Sequence, residues 1–250
     1  VFAKIYGEIL NASSNKKLVR AGWALHVFTA SGVIFAMLSL QAVIDGRVRD
    51  GLLWLLLCQI IDGIDGPLAR RIDIEIHVLK IDGTVLDLVV DYVTCVIVPV
   101  AFLVSVDLLP NNLEAALIGL ILLTSALWFA RRDQETEDHW FNGFPGSWNL
   151  VIPSFILLDV SSNEVIFYTL IFSFLSLTNF KVPHITRVKF LRRFTLPFSI
   201  VYLLNLTYLS WNYGVDINSN SKMMAQSVLL IFPAYILLIS GYRTFAKKFK

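Results

Sequence analysis

Residues 51–70 read GLLWLLLCQIIDGIDGPLAR, and residues 82–106 read DGTVLDLVVDYVTCVIVPVAFLVSV. Each run is long enough to cross a bilayer core, which takes about 20 mainly apolar residues at ~1.5 Å per residue. Each also carries a pair of aspartates within its apolar stretch: Asp62 and Asp65 near the end of the first run, Asp87 and Asp91 near the start of the second. Spacings of three and four put each pair on one face of its helix. If the two runs pack antiparallel, all four carboxylates converge at a similar depth, about 7–13 Å from one boundary.

The rest of the chain agrees with a membrane setting. Hydrophobic residues make up 56% and charged residues 16%, with a mean hydropathy of +0.67, which departs from soluble averages. Apolar runs read as spans fall near 21–44, 51–70, 82–106, 113–130, 147–160, 164–180, 194–213 and 224–246, the fifth and sixth of them short. The expected fold is therefore all-α, a polytopic membrane protein of about eight transmembrane helices. Residues 1–20 carry Lys4, Lys16, Lys17 and Arg20 among scattered apolar residues, the pattern of an interfacial amphipathic helix. Residues 21–250 are read as a single transmembrane catalytic domain, with no cleaved signal peptide. Cys58 and Cys95 sit inside apolar runs and are read as buried small hydrophobes, not as a disulfide.

Eight spans place both termini on one side. That side collects 18 of the 21 basic residues, leaving only Arg47, Arg49 and Lys222 opposite. Basic loops stay cytoplasmic, so both termini and the carboxylate end of the hairpin are expected to face the cytoplasm. A net charge of +2 gives no reason to expect a nucleic-acid partner.

Four unpaired aspartates inside a membrane would cost on the order of 10 kcal/mol. Arg70 supplies one nearby positive charge, fewer than four acids require. All-oxygen ligands favour hard divalent ions, and two Mn²⁺ or Mg²⁺ ions bridged by shared carboxylates match both the charge and the ligand type. The plainer alternative is a set of acids capped by interfacial water and arginines. Gly63, Gly66 and Gly83 interleave with the acids, where a side chain would block a ligand or a second helix. Pro67 lacks an N–H and is read as a kink beside Asp65.

The run Asp62-Gly63-Ile64-Asp65-Gly66-Pro67-Leu68-Ala69-Arg70, with Gly83, Asp87 and Asp91 following at spacings of four, resembles the signature of the CDP-alcohol phosphotransferases. Twelve residues, 71–82, separate Arg70 from Gly83. This long connection resembles the bacterial branch that joins choline directly to CDP-diacylglycerol. So do Leu86-Asp87-Leu88-Val89-Val90-Asp91-Tyr92, Asn142-Gly143-Phe144-Pro145 with Trp148-Asn149, and His184 followed by Arg187-Val188. The resemblance implies Asp62, Asp65, Asp87 and Asp91 as metal ligands, with Asp91 also the base. It implies Asp62, Gly66, Ala69, Arg70 and Gly83 around the CDP group, and phosphatidylcholine and CMP as products. The expected partners are CDP-diacylglycerol, choline and membrane lipids, with a homodimer as one option.

Choline is a quaternary ammonium ion, held by aromatic faces with an acid nearby. Asp138, Trp140, Phe144 and Trp148 offer both on the acid side of the membrane, and residues 133–149 contain no lysine or arginine. Arg187, in the basic group with Lys181, Lys189, Arg192 and Arg193, is a candidate for a lipid phosphate, although orientation and anionic lipid already account for such a group. His26, His139 and His184 lack metal-ligand spacing and are read as packing or hydrogen-bonding residues; Glu75 and His77 are read as surface residues. Other acceptors, such as glycerol phosphate, inositol phosphate or serine, are the alternatives within the family, as is CDP-choline with diacylglycerol. From another class, an ion-coupled transporter would spread its acids along a path, whereas these stay in one hairpin.

Overall fold

The computed structural model describes residues 16–73, 77, 78 and 80–246. Among them run eight helices: α1 (Lys16–Ile44), α2 (Val48–Ile72), α3 (Gly83–Ser105), α4 (Asn111–Phe129), α5 (Trp148–Leu157), α6 (Ser162–Ser176), α7 (Arg192–Trp211) and α8 (Ser219–Phe245). Each expected span has its helix, and the chain is an all-α polytopic membrane protein. Six helices are long and apolar enough to cross a membrane. The other two, α5 and α6, have 10 and 15 residues and rise only about 15 and 22 Å.

Local chemistry explains the shortening. Asp159 turns the chain out of α5 with a left-handed φ of 53°. The apolar pattern carries the sixth span to residue 180, but the helix ends at Ser176. Beyond it, β2 (Lys181–Pro183) pairs antiparallel with β1 (Trp140–Asn142), Trp140 opposite Pro183. The first helix is already formed at Lys16, earlier than the pattern suggests. The remainder of the expected interfacial helix, residues 1–15, and Glu75 lie outside the described residues.

The hairpin of α1 and α2 is tight because small residues line it. Ser39 donates from Oγ to the Gly51 carbonyl at 2.7 Å, and a Cβ on Gly51 would stand 2.5 Å from Val43, so only glycine admits this approach. At the start of α3, the Asp82 carboxylate accepts from the Thr84 and Val85 N–H groups at 3.0 and 3.1 Å, a charged N-cap. A π-helical turn, Tyr92–Ile97, follows Asp91 directly. Pro99, two residues further on, has no N–H to continue the regular ladder.

Leu52, Leu55, Phe102, Leu103, Trp148, Ile152 and Leu206 are fully buried at the centre of the bundle. Leu123, Leu127, Phe174, Leu204 and Leu238 point outward and are exposed. A soluble protein rarely presents such an apolar surface; lipid covers it here. Within the long connection after α2, Val78 is buried against Leu25 of α1 and beside Ala69, Ile72 and Ile81.

Candidate active site

Asp62 of α2 and Asp87 and Asp91 of α3 converge, each offering a carboxylate oxygen within 4.8 Å of the others. Asp62 is exposed and the other two half-buried, so the group opens to the surface on one side. Three carboxylates at such range repel unless a proton or a cation stands among them. Their all-oxygen chemistry fits a hard divalent ion.

The fourth expected ligand lies apart. Asp65, one turn along α2 and 5% exposed, is not part of the three-carboxylate group. Its side chain meets Thr29 of α1. No lysine or arginine forms a salt bridge with it among the described residues.

The glycines divide by role. A Cβ on Gly63 would meet nothing within 4 Å, so this position is open to a ligand. At Gly66 it would touch the Arg70 guanidinium at 3.2 Å, and at Gly83 the His26 ring at 3.2 Å. Arg70 therefore folds back over Gly66, in the electrostatic reach of Arg187, Arg192, Glu135 and Asp65. Ala69 packs towards Leu25 and Val78. His26 is buried, as the packing reading expects.

Behind these residues the 130–147 loop is held by a dense polar network. Arg131 donates to Asp133 at 2.8 and 2.9 Å, to the Thr178 carbonyl at 2.8 Å and to Asn179 at 2.9 Å. The Trp128 indole N–H donates to the Asn142 carbonyl at 2.8 Å, and the Lys181 ammonium bonds the Asn142 side chain. A Cβ on Gly143, at φ +88°, would stand 2.7 Å from the Ser176 carbonyl, so the turn requires glycine. Glu135 ties the loop to the next one, accepting from Arg187 and pairing with His139, both at 2.7 Å.

The four aromatic and acidic candidates for choline fall into two places. Trp148 is fully buried, its indole N–H donating to Ser125 at 3.0 Å. Phe144 packs on it at 5.3 Å and on Phe172 at 4.8 Å. Both are core residues. Asp138 and Trp140 instead line a cleft of about 360 Å³ together with Glu137, Arg187 and Lys189. Arg243 of α8 enters here, 2.6 Å from Asp138 and 5.6 Å over the Trp140 ring. Burial pushes the Asp138 carboxyl up, but the Thr136 hydroxyl and Arg243 hold it below the usual range. Burial drives the His184 imidazole down to about 4, aided by Arg187 and Arg70; its ring stacks on Phe141 at 5.2 Å.

Several of these residues carry no local sequence signal. Thr29 is one polar residue in an apolar span, Glu135 one acid in a polar loop, and Arg243 lies more than a hundred residues from its partner.

No family model matches the sequence. The chain is 37% identical to the phosphatidylcholine synthase of Pseudomonas aeruginosa over 183 residues, 73% of this chain and 77% of that protein. It is 33% identical to that of Borreliella burgdorferi over 226 residues, 89% of this chain and 94% of that protein. It is 29% identical to that of Legionella pneumophila, covering 92% and 91%. On this similarity, extending through the carboxylate hairpin and most of both chains, the protein belongs to the phosphatidylcholine synthase family.

Proposed function

We propose that this integral membrane enzyme makes phosphatidylcholine by moving the phosphatidyl group of CDP-diacylglycerol onto choline, with release of CMP. The observation that carries the reading is the convergence of Asp62, Asp87 and Asp91 within 4.8 Å between α2 and α3. Asp62, Asp65, Asp87 and Asp91 would hold two Mn²⁺ or Mg²⁺ ions. When bound there, such ions supply charge neutralisation for the pyrophosphate and the departing CMP.

The chain's own residues do the rest. Gly63, open on its free side, lets the nucleotide end approach the backbone, while Asp62, Gly66, Ala69, Arg70 and Gly83 surround the CDP group. Arg70 and Arg187 lie within electrostatic reach of each other and would take the pyrophosphate and the lipid phosphate. Asp91 accepts the choline hydroxyl proton as the hydroxyl oxygen bonds to the lipid-side phosphorus. The bond from that phosphorus to the CMP oxygen breaks, and CMP leaves with the electron pair.

For choline we assign the cleft at Asp138 and Trp140, which combines acid and aromatic chemistry. Phe144 and Trp148 brace it from the core. The skew of basic residues to one side supports cytoplasmic termini and a substrate drawn from the cytoplasmic leaflet of a bacterial inner membrane.

The test is purified protein with CDP-diacylglycerol and a panel of labelled alcohols, with and without Mn²⁺. Phosphatidylcholine and CMP should form in equal amounts. Faster use of glycerol phosphate, inositol phosphate or serine would reject choline as the acceptor.

A further inference from the structure

Both oxygens of the Glu135 carboxylate are engaged. Oε2 accepts from the Arg187 guanidinium at 2.7 Å, and Oε1 pairs with His139 Nδ1 at 2.7 Å. Arg187 and His139 line the cleft that also holds Asp138 and Trp140, whereas Glu135 does not line it. His139 is itself fixed. It holds a left-handed φ of 66°, its N–H donates to the Thr136 carbonyl at 2.9 Å, and its carbonyl accepts from the His184 N–H at 3.1 Å. A non-glycine residue stays in that conformation where its surroundings determine it. Glu135 is thus anchored on one side and holds Arg187 on the other.

The pair is not what joins the two loops. β1 and β2 already do so, from Trp140 opposite Pro183 to Asn142 opposite Lys181, and the Lys181 ammonium bonds the Asn142 side chain. The Glu135 and Arg187 side chains are 23% and 34% exposed, and a pair that water reaches adds little to stability. Its effect is on direction. Among the described residues the Arg187 guanidinium donates through Nη1 alone. The Nε–Nη2 edge is left for a ligand, and such an edge takes a phosphate through two parallel N–H bonds. This loop also stands beside the carboxylate hairpin. Ring contacts at 5.2–5.7 Å run from Tyr92, the residue after Asp91, through Phe129, Trp128 and Phe141 to His184, on the same loop as Arg187.

We propose that Glu135 is a positioning residue for Arg187: its carboxylate holds the guanidinium by Nη1 and presents the Nε–Nη2 edge to the substrate phosphate. This rests on the reading of Arg187 as a phosphate ligand given above. An arginine side chain left free must be ordered as the lipid binds, which weakens binding by about 2- to 13-fold for one such side chain. Glu135 orders it beforehand.

The test is the KM for CDP-diacylglycerol at saturating choline, measured on the purified full chain with kcat and thermal unfolding beside it. Glu135→Leu removes both acceptors; Glu135→Gln keeps one oxygen for the guanidinium. Glu135→Leu should raise KM by about 2- to 13-fold with little change in kcat, and Glu135→Gln should lie nearer the parent. If Glu135→Leu does not fold, Glu135→Ala takes its place. In an Arg187→Gln background neither substitution should raise KM further, because Glu135 acts through Arg187. A parent-like KM in Glu135→Leu, an equal rise in both Glu135 variants, or full additivity with Arg187→Gln overturns the proposal. Arg187→Gln alone separates the two levels. If it raises KM while Glu135→Leu does not, only the role of Glu135 falls. If it leaves KM at the parent value, or the parent itself does not turn over CDP-diacylglycerol, the reading beneath fails and takes the proposal with it.

Discussion

Arg243, in the last turn of α8, reaches Asp138 in the 130–147 loop at 2.6 Å and lies over the Trp140 ring at 5.6 Å. The last membrane helix is thus tied to the loop that carries two residues of the cleft assigned to choline. The pair is lopsided: the Arg243 side chain is 10% exposed and that of Asp138 47%. Removing Asp138 leaves a buried guanidinium unpaired, whereas removing Arg243 leaves a carboxylate that water can reach. Asp138→Asn should therefore destabilise more than Arg243→Gln. The difference should be on the order of 1 kcal/mol, below the cost of breaking a fully buried pair because Asp138 is half exposed. Thermal unfolding of both variants in detergent checks the order. The folded Asp138 carboxyl lies below its ordinary value, so its contribution is present above that value and is lost as pH falls through the folded pKa.

Trp140 and Trp148 should respond differently to truncation. Trp148→Ala removes a fully buried ring and should cost about 3–5 kcal/mol of stability. Trp140→Ala removes a ring that is itself buried, 2% exposed, but lines the cleft; beside its own cost in stability it should raise the KM for choline by roughly 2- to 30-fold, the range of one cation–π contact. Choline titration at saturating lipid, beside thermal unfolding, distinguishes the two. Equal choline KM in Trp140→Ala and the parent would remove this cleft from choline recognition.

Asp91→Asn keeps the side chain's size but cannot accept the proton. It should bind CDP-diacylglycerol near normally and lose at least ~10²-fold in turnover, the lower bound for a general base. Exhaustive chelation should silence the parent, with activity returning on Mn²⁺ or Mg²⁺. Near-parent turnover by the variant sinks the base assignment, and full activity in chelator sinks the metal.

His184 is half-buried, with its pKa pushed down to about 4. The unfolded chain takes up this proton first as pH drops below the ordinary value of 6.5, so the folded state loses stability between about pH 6.5 and 4. His184→Phe preserves the stack on Phe141 and removes the proton site. Its unfolding should depend less on pH across that window than the parent's, measured by thermal melts at pH 7 and pH 5. An unchanged slope would place the acid sensitivity elsewhere.

How much of this was legible depended on the range of the interaction. Apolar run length placed all eight helices, because a bilayer imposes one spanning length on any sequence. Its bounds ran a few residues long at the ends of α5 and α6, where hydropathy cannot register a left-handed Asp159 or a strand pairing that pulls Lys181–Pro183 away from the sixth helix. The meeting of Asp62 with Asp87 and Asp91 was legible too, since helical periodicity and adjacency in the chain suffice to bring two successive helices together.

The sequence by itself therefore determined the membrane class, the helix hairpin and the carboxylates it presents, because those follow from local composition and a fixed helical repeat. Tertiary structure decided the rest. It set Asp65 against Thr29 and outside the three-carboxylate group, buried Phe144 and Trp148 in the core, and brought Arg243 to Asp138. These contacts join segments separated by tens to more than a hundred residues, and nothing in either segment encodes its partner. Only the packing of the bundle, which fixes which faces meet, selects them.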